Sequence, residues 1–453
     1  MNYRPTPGLA RRAANSVGSR IYDGRFAKVT AGMIWVLVLF MIVPDGFRYG
    51  SISDNMPTSG SDASRIIWLA LLAAGVLVVV WRSSLAWLLV RQLNPFLTAF
   101  VALAALSVAW SIDPEVTTRR MVRVFTIWLD ALALGLVAWH PHRLQNVLRP
   151  ILTLVLVGSV IFVFLSPELA VETSTQAELV GAWKGLATQK NGLGSISGIA
   201  FLFWFHAWLS QESRRISVLL GASLALICLL GSRSSTSLMA TLFAVFFLLM
   251  LLRSPVGLRR YMPYVVGVFL VALLLYSLTI LQIVPGLEVL LKPITSLTGK
   301  DQTFSGRTAI WQVLINHIRQ NPLWGSGYGA YWTGAVPWSP SYETVRLLYF
   351  YPTEAHNGYL DIINDLGLLG GIVLIGYLIV YVRQALQLFA VERTQGALYL
   401  SLLFEQLIAN LSESRWLNVL CIEFVIMTLC TVSIARGLLD ERLRRQVGRP
   451  RSR

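Results

Sequence analysis

Residues 361–382 read "DIINDLGLLGGIVLIGYLIVYV", and this stretch decides the fold class. After Asp365 it carries no charge as far as Val382. A run of about 20 apolar residues is what a helix needs to cross the hydrocarbon core of a bilayer. Directly before it stands "EAHNGYL", 354–360, so a titratable imidazole, His356, sits at the mouth of a membrane helix between Glu354 and Asp361. A histidine there can cap the helix, bind a metal or move a proton.

The rest of the chain repeats the apolar theme. Of 453 residues, 55% are hydrophobic and 13% charged, with a mean hydropathy of +0.61. Soluble domains carry about twice that charge fraction, so an all-α polytopic membrane protein is expected. The net charge of +15 comes almost wholly from Arg. Basic residues gather at both termini and in "QESRR" and "RSPVGLRR", as the positive-inside bias requires. That distribution, rather than a basic face, argues against a nucleic-acid partner and for membrane lipids. Cys228, Cys421 and Cys430 lie in apolar runs without ligand or disulfide spacing. The basic leader is too long for a cleaved signal, and the first apolar run reads as a retained helix.

Hydropathy predicts about twelve transmembrane helices, near 30–45, 66–82, 95–111, 121–139, 146–165, 193–210, 216–231, 236–252, 262–282, 362–382, 395–411 and 417–436. The piece "SLAWLLV", 84–90, is too short to span and suits the interface. The expected organisation is a cytoplasmic basic N-terminus (1–29), nine helices (30–282), one large, partly helical periplasmic loop (283–361), three helices (362–436) and a cytoplasmic basic tail (437–453). On the side opposite the termini emerge 166–192, the tight turn "GSRSSTS" and the long loop. Within that loop, "RTAIWQVLINHIRQNP" predicts an amphipathic helix with Ile310, Leu314 and Ile318 on one face, stopped at Asn321-Pro322.

Arg233 lies in the "GSRSS" turn, on the side where positive charge is disfavoured, among Ser and Gly that leave backbone N–H groups accessible to an anion. An interfacial arginine snorkelling to head groups is the alternative. Arg307 begins the amphipathic helix, where a cation opposes the helix dipole unless an anion is held nearby, and a guanidinium at a helix N-terminus suits phosphate. Lys184 and Lys190, in "WKGLATQKNG", add charge to the same face, with Asn191 following at a helix mouth. Four scattered histidines and the lack of a nearby acidic pair in the sequence argue against a metal at His356, and Asn357 can cap the helix unaided. What remains is a proton acceptor near guanidinium groups suited to pyrophosphate. That combination describes glycosyl transfer from a lipid-linked diphosphate sugar.

"GAWKGLATQKNGLG", "GSRSSTS", "FSGRTAIW", "GSGYGAYW" and "AHNGYLDIINDLGLLGG", in that order between residues 181 and 371, resemble the O-antigen ligase and polymerase superfamily, which includes Wzy, WaaL and ExoQ-like proteins. The resemblance implies a twelve-helix bacterial inner-membrane protein, its active site facing the periplasm. It would use undecaprenyl-diphosphate-linked glycan as donor, with inversion and with no metal or other cofactor. The family pattern of two arginines and one histidine falls on Arg233, Arg307 and His356, with Trp183, Lys184, Lys190, Asn191 and Asn357 as substrate-binding positions. The wording of the last two motifs is most like the ExoQ-type exopolysaccharide polymerases. The acceptor would be the next lipid-linked repeat in a polymerase or lipid A core in a ligase, with a chain-length regulator as a candidate partner. A tyrosine-O-linked protein glycosyltransferase is a further family option. A transporter of lipid-linked sugars is the rival from another class, but no repeat is visible and the candidate residues lie at helix mouths rather than at the midplane.

Overall fold

A computed structural model describes residues 24–44, 49, 61–137, 140, 142–173, 180–280, 307–334, 339, 341–348 and 351–448. Among them no strand forms, and one isolated antiparallel bridge joins Val171 to Trp183. Each of the twelve expected apolar stretches falls largely on helix. The α-helices of seven residues or more among the described residues are, in chain order, α1 (Gly24–Ile42), α2 (Asp62–Trp81), α3 (Ser83–Gln92), α4 (Pro95–Leu106), α5 (Pro114–Leu136), α6 (Arg143–Leu165), α7 (Lys190–Leu209), α8 (Arg215–Gly231), α9 (Ser235–Arg253), α10 (Met262–Ile280), α11 (Arg307–Gln320), α12 (Tyr342–Leu348), α13 (Gly358–Val391), α14 (Arg393–Ala409) and α15 (Ile422–Gly448).

Six of these, α2, α6, α7, α9, α13 and α15, are long and apolar enough to cross a membrane by length and composition. The chain is a polytopic membrane protein. "SLAWLLV", expected to stand alone in the interface, forms α3 and turns by 102° into the helix that follows, which makes a bent pair of the two. Asn94 sets that bend: its side chain accepts from Phe96 N and donates to the Tyr377 carbonyl in α13. Of the expected extramembrane pieces, 1–23, 283–306 and 449–453 lie outside the described residues.

α7 packs along α8, α9 along α14, and α2 along α5, enclosing a continuous apolar core. A second, small core lies under the loop that precedes α13. There Ile310, Trp311 and Leu314 of α11 meet Tyr331, Ala355 and Leu360, with Ile318 packed against them, so the face read from the sequence is the buried one. α11 ends at Gln320, just before the expected stop.

α13 does not start at residue 362 as expected, and it is not one straight rod. It begins at Gly358 and breaks at Gly367, whose φ of 64° lies in the left-handed region. A Cβ at Gly367 would meet the Leu323 carbonyl oxygen at 2.2 Å. The chain from Pro322 to Gly327 runs against this break: Leu368 N donates to Pro322 O, Ser326 N to Asn364 O and Gly327 N to Asp365 O. Glycine is needed both for the backbone conformation and for the close approach. The first turns of α13 are thereby bonded to the loop, and the remainder enters the apolar core.

Candidate functional site

Asn357 caps α13 as its sequence position suggests, its side-chain oxygen accepting from Tyr359 N and Leu360 N at 3.1 Å. The residue before it, His356, has φ 50°, a left-handed conformation that few non-glycine residues adopt. Gly358 N donates to the carbonyls of both Asn410 and Glu413 at 3.0 Å, and Asn357 N donates to Ser414 Oγ. A Cβ at Gly358 would lie 2.0 Å from Asn410 Oδ1. The turn between α14 and α15 is therefore pressed against the mouth of α13, and it delivers Glu413 to the histidine.

Glu413 is 3% exposed and organises the site. Its Oε1 accepts from Asn191 Nδ2 at 2.7 Å and lies 3.2 Å from Arg307 Nη2. Its Oε2 lies 3.5 Å from Arg415 Nη2 and 3.9 Å from His356 Nδ1. Glu354 Oε1 approaches the same ring nitrogen to 3.0 Å. Arg415 also reaches Glu423, 3.1 Å away, whose carboxylate accepts from Ser195 Oγ.

The charges tune one another. Burial alone would depress the His356 imidazolium, but the carboxylates of Glu354 and Glu413 outweigh it and raise the pKa to about 9. Burial pushes the Glu413 carboxyl up, and His356, Arg415 and Arg307 together overcome that and hold it below the usual carboxylate range. Burial also works against the Arg415 guanidinium, and the nearby anions, Glu423 foremost, more than restore its charge.

The expected site residues fall into two groups. Arg307, His356 and Asn191 converge on Glu413, Asn357 bonds to the adjacent Ser414, and Lys190 is the first residue of α7 beside Asn191. Arg233, Trp183 and Lys184 gather instead where residues 170–173 lie against residues 180–184, joined by the antiparallel bridge between Val171 and Trp183. Arg233, with φ 48°, donates from Nη1 to the Val180 carbonyl. Lys184 Nζ lies 3.8 Å from Glu172, and Trp183 N donates to Gly231 O. A hydrogen bond between Ser412 and Thr236 ties the Arg233 turn to the Glu413 turn.

Two residues at the centre, Glu413 and Arg415, escaped the sequence reading. The signal was "SESR", three polar or charged neighbours of an arginine in a short turn between apolar helices. Of the two acids that flank His356 in the sequence, Glu354 approaches its ring, whereas Asp361 accepts from Trp332 Nε1 and Ala355 N.

The acidic partner that a metal would need, missing from the local sequence, is supplied by the fold. Oxygens of Glu354 and Glu413 and a nitrogen of His356 lie within 4.8 Å of one another. Two guanidinium groups within 3.5 Å of Glu413 oppose a divalent cation there, and the trio fits an ion-pair network better than a metal cage. A cavity of about 700 Å³ opens beside the cluster, with Glu354, Ser414 and Arg415 in its wall.

Residues 218–375 match the family model described as O-Antigen ligase. The resemblance to the O-antigen ligase and polymerase superfamily holds. The matched stretch takes in Arg233, Arg307, His356 and the break at Gly367; it leaves out Asn191, Glu413 and Arg415. The chain is also 26% identical over 292 residues to the exopolysaccharide production protein ExoQ of Rhizobium meliloti (strain 1021). That match covers 61% of this chain and 61% of the length of the relative.

Proposed function

We propose that the chain is a metal-independent, inverting glycosyltransferase of the bacterial inner membrane. It polymerises undecaprenyl-diphosphate-linked oligosaccharide repeats into a surface polysaccharide or exopolysaccharide at a site facing the periplasm. One observation carries this reading: Arg307, Arg415 and His356 converge on a single buried carboxylate, Glu413. Guanidinium groups suit a diphosphate, and an imidazole poised by carboxylates suits proton transfer. The similarity to an exopolysaccharide production protein favours a polymerase over a ligase that transfers to lipid A core.

In the proposed step, an acceptor hydroxyl attacks the anomeric carbon of the donor. The new C–O bond forms as the bond to the diphosphate breaks, its electron pair leaving on the diphosphate, where Arg307, with Arg233 at the neighbouring turn, stabilises the charge. The hydroxyl proton passes to His356 Nε2, while Glu354 holds Nδ1 and stabilises the imidazolium. A single displacement inverts the anomeric centre. Trp183, Lys184, Lys190, Asn191 and Asn357 line or position the glycan path, and a chain-length regulator is the proposed partner.

The raised pKa of His356 favours a second reading, in which His356 stays cationic against the leaving diphosphate and Glu354 takes the proton. Purified protein in vesicles, given a lipid-linked donor and acceptor, tests both. His356→Ala is expected to abolish new glycosidic bonds while donor binding persists, and wild-type transfer by this variant from pH 6 to 8 would reduce His356 to backbone structure. Movement of the lipid-linked sugar across the bilayer without any new bond would favour the transporter. Twelve crossings with both termini cytoplasmic belong to this proposal, and cysteine labelling at Lys300 and Arg445 from the same side would overturn that topology.

A further inference from the structure

The cavity beside Glu354 has a far wall that the transfer step does not use. Arg119, Arg120 and Arg123 on α5, and Arg65 on α2, line it together with Trp68 and Trp332. By the expected topology this end of α5 lies opposite the basic termini, so orientation in the membrane does not account for four arginines there.

The acids around the same cavity are already engaged within the protein. Asp361 accepts from Trp332 and Ala355, Asp365 from Gly329 N, Glu423 pairs with Arg415, and Glu354 with His356. Arg119 pairs with the exposed Glu115, and the Arg123 guanidinium lies over the Trp68 ring at 5.3 Å. Among the described residues no ion pair within 4.0 Å holds the Arg120 guanidinium, and the anion its charge acts on, from farther off, is the buried Asp365 carboxylate in the same cavity wall. Arg120 is also built in: Gly329, at φ 69°, yields the space it occupies, and a Cβ there would meet Arg120 Cδ at 2.3 Å.

The cavity reaches the outer face of α2. Leu69 and Arg65 line it, while Leu69 is 55% and the adjacent Ile66 67% exposed, as residues facing hydrocarbon are. A ligand entering here brings an anionic group and an apolar tail.

We propose that the α5 arginine wall is a second lipid-phosphate seat, taking the diphosphate of the lipid-linked acceptor while Arg307 serves that of the donor. This rests on the transferase reading above. The cavity runs from the arginine wall to Glu354 and Arg415, which pair with His356 and Glu413 of the donor cluster, so a glycan seated at the wall reaches the edge of that cluster without leaving the cavity.

The test is calorimetric titration of the purified full chain, in nanodiscs of neutral phosphatidylcholine, with farnesyl diphosphate. Two molecules are expected to bind per chain. R120Q/R123Q should weaken one of them roughly tenfold or more, as expected for lost charge-assisted bonds, and R307Q should weaken the other. R120K/R123K, which keeps the charge, retains two, and Arg65→Gln on the exposed rim reads the same seat if the paired glutamine variant folds poorly. One molecule per chain in the wild type, or unchanged two-site binding in R120Q/R123Q, would overturn the proposal. Two further arms separate the sources of phosphate. Inorganic pyrophosphate should bind the arginine wall more weakly than farnesyl diphosphate, and equal binding removes the lipid from the assignment. If phosphatidylglycerol in the nanodisc displaces the second molecule, the seat is a general head-group site and the acceptor assignment falls. Stoichiometry is independent of turnover, so absence of any glycosyl transfer would sink the proposed function without deciding this one.

Discussion

Arg307 Nη2 lies 3.2 Å from Glu413 Oε1, so the guanidinium assigned to the diphosphate is paired with a buried carboxylate. A diphosphate arriving at Arg307 competes with that carboxylate, and Glu413 also helps hold the charge on His356. Glu413→Gln should therefore tighten farnesyl diphosphate binding at this seat several-fold and slow transfer by roughly tenfold or more. Binding and initial rates measured on one preparation check this; if neither changes, Glu413 is merely packing.

Replacing Arg307 by Ala should leave the protein inserted and reduce transfer about a hundredfold, on the order of 3 kcal/mol of transition-state stabilisation. Arg307→Lys should also lose most activity, because an ammonium cannot present a rigid two-pronged donor. Arg233→Ala is expected to behave like Arg307→Ala. Arg233→Lys sorts its role: a lysine that can still reach the Val180 carbonyl and restores full transfer would make Arg233 a loop tie rather than a phosphate contact.

If neutral His356 is the base, kcat/KM should climb about tenfold per pH unit and level off near the pKa of about 9. A rate that instead falls above that pH supports the cationic reading. The same group links pH to stability. Its pKa in the folded protein is raised, so its stabilising contribution is complete below about 6.5, the unperturbed value. The contribution is lost as pH rises through about 9. Thermal unfolding should therefore move to lower temperature between those values, and His356→Gln should flatten that slope.

Much of the fold was legible because a membrane helix announces itself locally. Asn357 as a cap, Arg307 as the first residue of α11 and the buried face through Ile310 and Leu314 all follow from neighbours a few residues apart. Glu413 and Arg415 were not legible, because nothing near "SESR" in the chain reveals that Gly358 binds its backbone. Arg119, Arg120 and Arg123 gave a weaker signal, a charge cluster at odds with the positive-inside bias. Arg233 shows the converse: its tight turn is legible in "GSRSS", whereas the bond from its guanidinium to the distant Val180 carbonyl is not.

Two glycines can be tested as structural necessities. Gly358→Ala would press Cβ into Asn410 Oδ1, and Gly367→Ala would meet the Leu323 carbonyl with a left-handed backbone besides. A left-handed conformation alone costs a non-glycine residue about 1–2 kcal/mol. Both variants should unfold at lower temperature than the wild type, Gly367→Ala with the added backbone penalty. A Gly367→Ala protein of wild-type thermal stability would show that the break in α13 is not required.

The break at Gly367 also has a mechanical meaning. Hydrogen bonds on either side of it, to Pro322, Ser326 and Gly327, clamp the loop to the top of a helix long and apolar enough to cross a bilayer. His356 is carried on that top, so its height above the acyl chains follows the depth at which α13 floats. Under the proposed transferase reading, bilayer thickness would then act as a dial on the rate: as the acyl chains are lengthened or shortened around the chain's preferred value, the reacting hydroxyl and the imidazole should drift out of register. Transfer rates in vesicles of graded acyl length should trace a single maximum.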